Sequence, residues 1–192
     1  MLAELILKNR SYRRFHQDVP VSLETLRELV DLARLSASAR NLQPLRYILC
    51  TDRATNAAVF DTLAWAGYLK DWPGPVEGER PSAYIIVLGD KTLSQSFGVD
   101  HGIAMQSILL GAVEKGLGGC MIGSIQREKL RQILNIPERF EILNVVALGK
   151  PKETVVIDPV GPDGDIKYWR DADQVHHVPK RALKDIIVME RS

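Results

Sequence analysis

Apolar residues recur along this chain in three patterns, and each predicts a different kind of element. Leu26, Leu29, Val30 and Ala33 fall at helical spacing behind Pro20 and Ser22, which predicts a helix with Ser22 as its N-cap and Glu24 in its first turn. The residues ahead of it read as a short helix running into a turn. Ala83-Tyr84-Ile85-Ile86-Val87-Leu88 is instead an unbroken apolar run of strand length, as expected of a strand buried on both faces. Leu45–Thr51 and Ile142–Leu148 have strand composition too, the second closed by Gly149 and Pro151. The third pattern runs from about Phe97 to Gly116, with no charged side chain between His101 and Glu114. Ile103, Ala104, Met105, Ile108, Leu109, Leu110, Ala112 and Val113 cover most of that helix, and a helix apolar nearly all round is buried nearly all round. A chain of this size achieves that most easily against a second copy of itself.

Shorter elements fill the intervals. Asp52 to Gly67 reads as a helix, Gly116 to Ser124 as a helix stop, a short strand and a second small-residue turn, and Gln126 to Asn135 as a helix with Leu130, Ile133 and Leu134 on one face. Pro73, Gly74, Pro75, Gly78 and Pro81 exclude a persistent helix or strand from Asp71 to Pro81, making that segment a loop or lid candidate. In the tail, Lys167–Arg170 and Val175–Val178 are expected to be extended and Ala182–Met189 to close as a short helix. Helices outnumber short strands with little regular βαβ repetition, so the class is α+β.

With 192 residues, 45% of them hydrophobic, the chain can bury a sizeable core, and residues 1–192 are read as a single domain. A net charge of +1, from 25 basic and 24 acidic residues, provides no long-range field for nucleic acid or an anionic membrane, so any anion site must be local. Cys50 and Cys120 are too few and too far apart for a disulfide framework or a zinc site of ordinary spacing, which points to the reducing cytoplasm. Met1–Lys8 lacks the basic leader and apolar length of a signal peptide, and no segment is long enough to span a bilayer.

Two segments carry candidate chemistry. In Arg10-Ser11-Tyr12-Arg13-Arg14-Phe15, guanidinium groups and a hydroxyl within four residues can hold a phosphate by charge-assisted hydrogen bonds, and arginine's planar fork suits phosphate oxygens. Ser36-Ala37-Ser38-Ala39-Arg40-Asn41-Leu42-Gln43-Pro44 is a small-residue stretch whose backbone amides can approach a flat ring. Each alone has a plainer reading, as a solvated helix end and as the loop that ends a helix. Gly116–Gly119 follow a helix and precede a strand, the reverse of the dinucleotide-binding context. His176 and His177 point to opposite faces of an extended segment and read as packing or surface residues. Trp65, Tyr68 and Trp72 either stack on a bound aromatic or pack the loop that follows them. Cys120 reads as a buried small hydrophobe.

Together these two segments, the apolar central helix, the Gly-Leu-Gly-x-x-Met-Ile-Gly turn at 116–123, and Leu134-Asn135-Ile136-Pro137-Glu138 leading to Leu148-Gly149-Lys150-Pro151 resemble the nitroreductase family of FMN-dependent oxidoreductases. The resemblance implies a central, mostly antiparallel sheet surrounded by helices, the long apolar helix at a dimer interface, and residues 152–192 as a C-terminal extension able to wrap onto the partner subunit. It implies that Arg10, Ser11 and Arg13 bind the FMN phosphate, with Lys180 or Arg181 reaching it from the tail. Ala37, Ser38, Ala39 and Asn41 would line the ribityl chain and one edge of the isoalloxazine, and Met121, Ile122, Gly123 and Ser124 would approach the reactive ring. Met121 and Gly123 stand in a turn where related proteins often carry an aromatic or acidic residue, and Leu45 replaces an aromatic after Gln-Pro. The implied activity is ping-pong transfer of electrons from NAD(P)H through FMN to a small acceptor such as a nitroaromatic or quinone. It needs a homodimer, no metal and no dedicated catalytic side chain. A specialised flavin-dependent reductase or dehalogenase, and an FMN-binding protein without turnover, are the alternatives.

Overall fold

The structure, a computed structural model, describes residues 1–191. In chain order its first elements are α1 (Leu2–Lys8), β1 (Phe15–His16), α2 (Leu23–Leu35), β2 (Leu45–Cys50), α3 (Arg53–Phe60), β3 (Ala83–Asp90) and α4 (Asp100–Glu114). There follow β4 (Gly118–Ile122), α5 (Arg127–Leu134), β5 (Phe140–Pro151), β6 (Val155–Pro159), β7 (Trp169–Arg170) and β8 (His176–Lys180).

The main sheet is antiparallel throughout. β5 is its hub, pairing with β3 from Ala83↔Leu148 to Asp90↔Phe140, with β4 from Gly118↔Gly149 to Ile122↔Val145, and with the short β1 at Lys150 and Pro151. β2 adds to the far side of β3, Leu45 opposite Gly89 and Cys50 opposite Tyr84. β3 explains its own sequence, because all eight of its residues are buried and alternate ones enter different cores. Ile85 and Val87 join Leu26, Leu29, Ile108 and Leu109 of α2 and α4 on one face. Tyr84, Ile86 and Leu88 join Val59, Trp65 and Leu130 on the other.

Ser22 caps α2 as expected, its Oγ accepting from Thr25 N at 3.0 Å. α2 and α4 lie in close contact at Gly111, where an added Cβ would overlap Leu32 Cδ1 and lie 3.1 Å from Leu29 Cδ2. α4 buries Ala104, Met105, Ile108, Leu109 and Ala112 against the sheet, while Ile103 stays exposed on the single chain.

Three segments differ from expectation. The helix expected over Asp52–Gly67 stops at Phe60, because the following backbone bonds to a distant turn: Ala64 N donates to Ser124 O at 3.0 Å and Thr62 O accepts from Gln126 N at 2.8 Å. The central helix spans Asp100–Glu114, shorter than the Phe97–Gly116 expected, with Phe97 packed over Gly89 instead. Among the described residues the tail forms only one 3₁₀ turn, at Leu183–Asp185, and Ile186, Val188 and Met189 remain exposed with no packed face to stabilise a longer helix.

Parallel β6 and β8, with β7 antiparallel on β8, make a second, three-stranded sheet. Arg170 on β7 pairs with the buried Glu153 at 3.0 Å, and the Tyr168 ring lies 4.9 Å from Tyr68, so this sheet packs on its own chain beside Arg13.

Candidate functional site

Arg10–Arg13 run along the outer edge of β4, where Ser11 bridges Gly119 and Tyr12 N donates to Gly119 O at 3.0 Å. In an extended segment alternate side chains face opposite ways. Arg10 and Tyr12 turn back to α1, Arg10 Nη2 donating to Ile6 O at 2.7 Å and Tyr12 OH to Lys8 O at 3.0 Å. Ser11 and Arg13 face Cys120 instead. Burial pushes the Cys120 thiol up, opposed by the Arg13 charge, so it is an inert packing group rather than a thiolate.

The backbone of this segment hangs on Glu153, a carboxylate that accepts from Arg13 N, from Arg14 N at 3.2 Å and from Arg170 Nη2 at 3.0 Å. The guanidinium of Arg13 itself meets no carboxylate among the described residues. It donates to Ser11 O and lies against His176 Nε2, both at 3.2 Å, and over the Tyr168 ring at 4.7 Å from the centroid.

Arg13 also lines a cavity of about 220 Å³ with Ala64, Trp65, Ala66, Gly67, the Cys120–Ser124 turn and Tyr168. The premature end of α3 builds this cavity, since the Thr62–Gln126 and Ala64–Ser124 bonds draw 64–67 across to the turn. Met121, Ile122, Gly123 and Ser124 therefore share one cavity with Arg13, a juxtaposition made by the fold. Trp65 is buried under Gly74 and Trp72 lies beneath Arg170, so both pack the 71–81 loop, while Tyr68 meets Tyr168 beside the cavity.

The Ser36–Pro44 segment is strained and anchored. Arg40, Asn41 and Gln43 have φ of 54°, 55° and 49°, a left-handed conformation that costs a non-glycine residue roughly 1–3 kcal/mol and concentrates at functional sites. Asp100, buried at the start of α4, holds it by accepting from Ser38 Oγ at 2.6 Å and Ala39 N at 3.1 Å, and Ser38 Oγ in turn accepts from Gln43 N. Ala37 and Ser38 line a second cavity of about 130 Å³ with Pro44, Tyr47 and Asp100. Burial pushes the Tyr47 phenol up to about 12.

Ser36 Oγ meets Ser107 Oγ at 2.7 Å and Asn9 Nδ2 donates to Gln106 Oε1 at 3.4 Å, so both motifs flank neighbouring positions of α4 yet open into separate cavities of one chain. Lys180 ends β8 on the same face as His176, about 13 Å of strand from it, and Arg181 follows; both are exposed. A larger cavity of about 450 Å³, between residues 77–82 and α3, is lined by none of the expected site residues. Glu153 and Asp100 carried no signal in the sequence, because a buried acid bracing a distant backbone looks like any surface acid until the fold is known, and Tyr168 carried none because only the fold brings its ring to Arg13.

The antiparallel α+β scaffold thus places Arg13, with no carboxylate partner for its guanidinium among the described residues, at the side of a cavity whose wall includes Ala64, Ala66, Gly67, Gly123 and Ser124. The nitroreductase family model matches residues 6–150, and the chain belongs to that family, a family of oxidoreductases. It is 30% identical over 158 residues to a protein of Archaeoglobus fulgidus whose name assigns it to the NADH dehydrogenase/NAD(P)H nitroreductases, covering 78% of this chain and 85% of that one. The NADPH-flavin oxidoreductase of Vibrio harveyi is 27% identical, with 81% and 68% covered. An FMN-dependent nitroreductase of Clostridium difficile superposes with a TM-score of 0.68 over the whole of both chains at 20% identity, a likeness of fold. No helix among the described residues is long and apolar enough to cross a membrane.

Proposed function

We propose that this chain is an FMN-dependent oxidoreductase that takes electrons from NAD(P)H and delivers them, by a ping-pong cycle, to a small electron-poor acceptor such as a nitroaromatic or quinone. The observation that carries the reading is the Arg13 guanidinium, with no carboxylate partner among the described residues, beside the cavity of the 120–124 turn. The residues fit a flavin: small side chains at Ala64, Ala66, Gly67, Gly123 and Ser124 leave space for a flat ring, and a cation waits at one side. When bound, FMN supplies the redox chemistry, accepting hydride from the nicotinamide and passing electrons on. The chain supplies anchoring and shape. Ser11 and Arg13 hold the anionic part, with Lys180 or Arg181 approaching from the tail, and Arg10 joins them by exchanging its bond to Ile6 O for the ligand. Met121, Ile122, Gly123 and Ser124 face the ring, and Ala37, Ser38, Ala39 and Asn41 line the ribityl chain.

The two cavities measure about 220 and 130 Å³, each below the ~300 Å³ at which ligand pockets begin, and they are presented separately by one chain. A two-fold pair of chains brings the Ser36–Pro44 loop of one copy to the 120–124 turn of the other, so the working unit is a homodimer. Exposed Leu7, Leu35 and Ile103, on the helices that carry these segments, supply apolar surface for it. Residues 1–192 then act as one domain in a cytoplasmic enzyme.

The test is to load the protein with FMN, desalt it and add NADH or NADPH anaerobically. A retained flavin spectrum that bleaches, followed by reoxidation with a quinone or nitroaromatic and parallel double-reciprocal plots, is the expected result. A flavin spectrum that never bleaches reduces the protein to a binder, and no retained flavin overturns the reading. Light scattering should give twice the 21.5 kDa chain mass.

A further inference from the structure

Arg13 is the cation on which the proposed cofactor site depends, yet nothing from its own segment fixes the far end of its side chain except Ser11 O. The rest of its support comes from the second sheet. His176 is fully buried on β8, and its Nε2 lies 3.2 Å from Arg13 Nη1. A guanidinium can only donate, so Nε2 is the acceptor, and the imidazole is neutral with its proton on Nδ1. That Nδ1 is buried with no partner among the described residues, a cost the fold accepts to keep this tautomer. Burial, and then the charges of Arg13, Arg170 and His177, push His176 down to about 4, so it stays neutral across the physiological range. Tyr168 covers the flat face of the guanidinium at 4.7 Å and is braced by Tyr68 and by His176, at 4.9 and 5.2 Å between ring centroids.

We propose that His176 and Tyr168, from the C-terminal segment of the same chain, are positioning residues that hold the Arg13 guanidinium at the cavity for an anionic or carbonyl-bearing edge of the cofactor. The inference rests on the flavin reading above and adds the device that orients its cation. A carboxylate in the place of His176 would also fix Arg13, but would cancel the charge the ligand needs. A neutral ring nitrogen at one edge and an aromatic face on the other fix the geometry and leave the charge uncancelled.

The experiment is an FMN titration of the full-length protein, followed by flavin fluorescence, for His176→Leu, His176→Gln, Tyr168→Leu and Tyr168→Phe, each made in the wild-type and Arg13→Ala backgrounds. Loss of a bond to a charged group predicts FMN binding about 10-fold weaker in His176→Leu, restored largely by His176→Gln, whose side-chain oxygen can accept in place of Nε2. Tyr168→Leu should weaken binding and Tyr168→Phe should not, because the ring face makes the contact. In the Arg13→Ala background neither Leu variant should weaken binding further, the non-additivity expected of residues acting through one partner. Equal losses in both backgrounds, or no rescue by Gln, would mean a merely structural role and overturn the proposal. Should His176→Leu fail to fold, the Tyr168 pair decides by the same cycle. If wild-type protein takes up no FMN, the flavin reading itself fails, an outcome distinct from tight wild-type binding that is indifferent to His176 and Tyr168.

Discussion

Arg13 and Arg14 are neighbours in sequence with opposite surroundings. Arg14 turns toward the 71–81 loop, where Nε and Nη2 reach the two oxygens of Glu79 at 2.6 and 2.7 Å in a bidentate pair that Lys152 joins at 2.9 Å. Arg13 turns toward the cavity and meets a backbone carbonyl, a neutral imidazole and a ring face. One cation is neutralised and latches a loop. The other keeps its charge. If Arg13 anchors the flavin as proposed, placement of acids, rather than the arginines themselves, separates structural from binding roles in this Arg-rich segment.

Exchanging the two roles by mutation should give the largest effects. Arg13→Ala is expected to weaken FMN binding by about 10- to 100-fold, the range for losing a hydrogen bond to a charged group, with little change in the thermal midpoint. Arg14→Ala should do the reverse, leaving FMN affinity nearly intact. It should cost about 2 kcal/mol of stability, less than the full loss for a buried ion pair because Lys152 still faces Glu79. Urea unfolding and flavin titration on both variants check the pair. Similar losses of affinity in the two would erase the distinction.

A smaller effect sharpens the Arg14 side alone. The Arg14 hydrogen bond, assisted by Lys152, holds the Glu79 carboxyl down at about 2. A carboxyl whose folded pKa lies below its unfolded one stabilises the protein fully above the unfolded value, and that contribution disappears as pH falls through the folded value. Wild-type stability should therefore decline between about pH 5 and pH 2, and Glu79→Gln should flatten that limb in urea titrations at stepped pH. An acid limb unchanged in Glu79→Gln would mean that the latch does not set the acid response.

Such distinctions lie beyond what the chain's pattern can express. The buried run of β3 and the Ser22 cap were legible, because each depends on local periodicity or local capping. The early end of α3 was not, since Asp52–Gly67 has helical composition and stops at Phe60 only because Ser124 and Gln126, some sixty residues on, take its backbone bonds. Nor was the division between Arg13 and Arg14: it depends on Glu79 and Glu153, acids that look alike in sequence until tertiary structure places one on a side chain and the other on a backbone. The apolar residues of 182–189 suggested a helix, but without a packed face within the chain only a single turn forms.

The smallest expected effect links the second sheet to the Arg13 side. His177, adjacent to the neutral His176, faces the other way, with Nδ1 2.7 Å from Asp158 Oδ2, Nε2 3.2 Å from Asp171 Oδ2, and its ring stacked 4.1 Å from Trp169. Burial opposes its protonation, but the bonds to Asp158 and Asp171 outweigh it and raise its pKa. A histidine whose folded pKa exceeds its unfolded one contributes fully below the unfolded value, about 6.5, and its contribution is lost as pH rises through the folded value. Thermal midpoints of wild type should therefore fall from pH 6 toward pH 9 relative to His177→Gln, and Asp158→Asn should shrink that difference. Because β8 carries His176 one residue away, the same rise in pH should weaken FMN binding slightly in wild type and less in His177→Gln. If stability changes with pH while FMN affinity does not, the imidazolium clasp stabilises the second sheet without reaching Arg13.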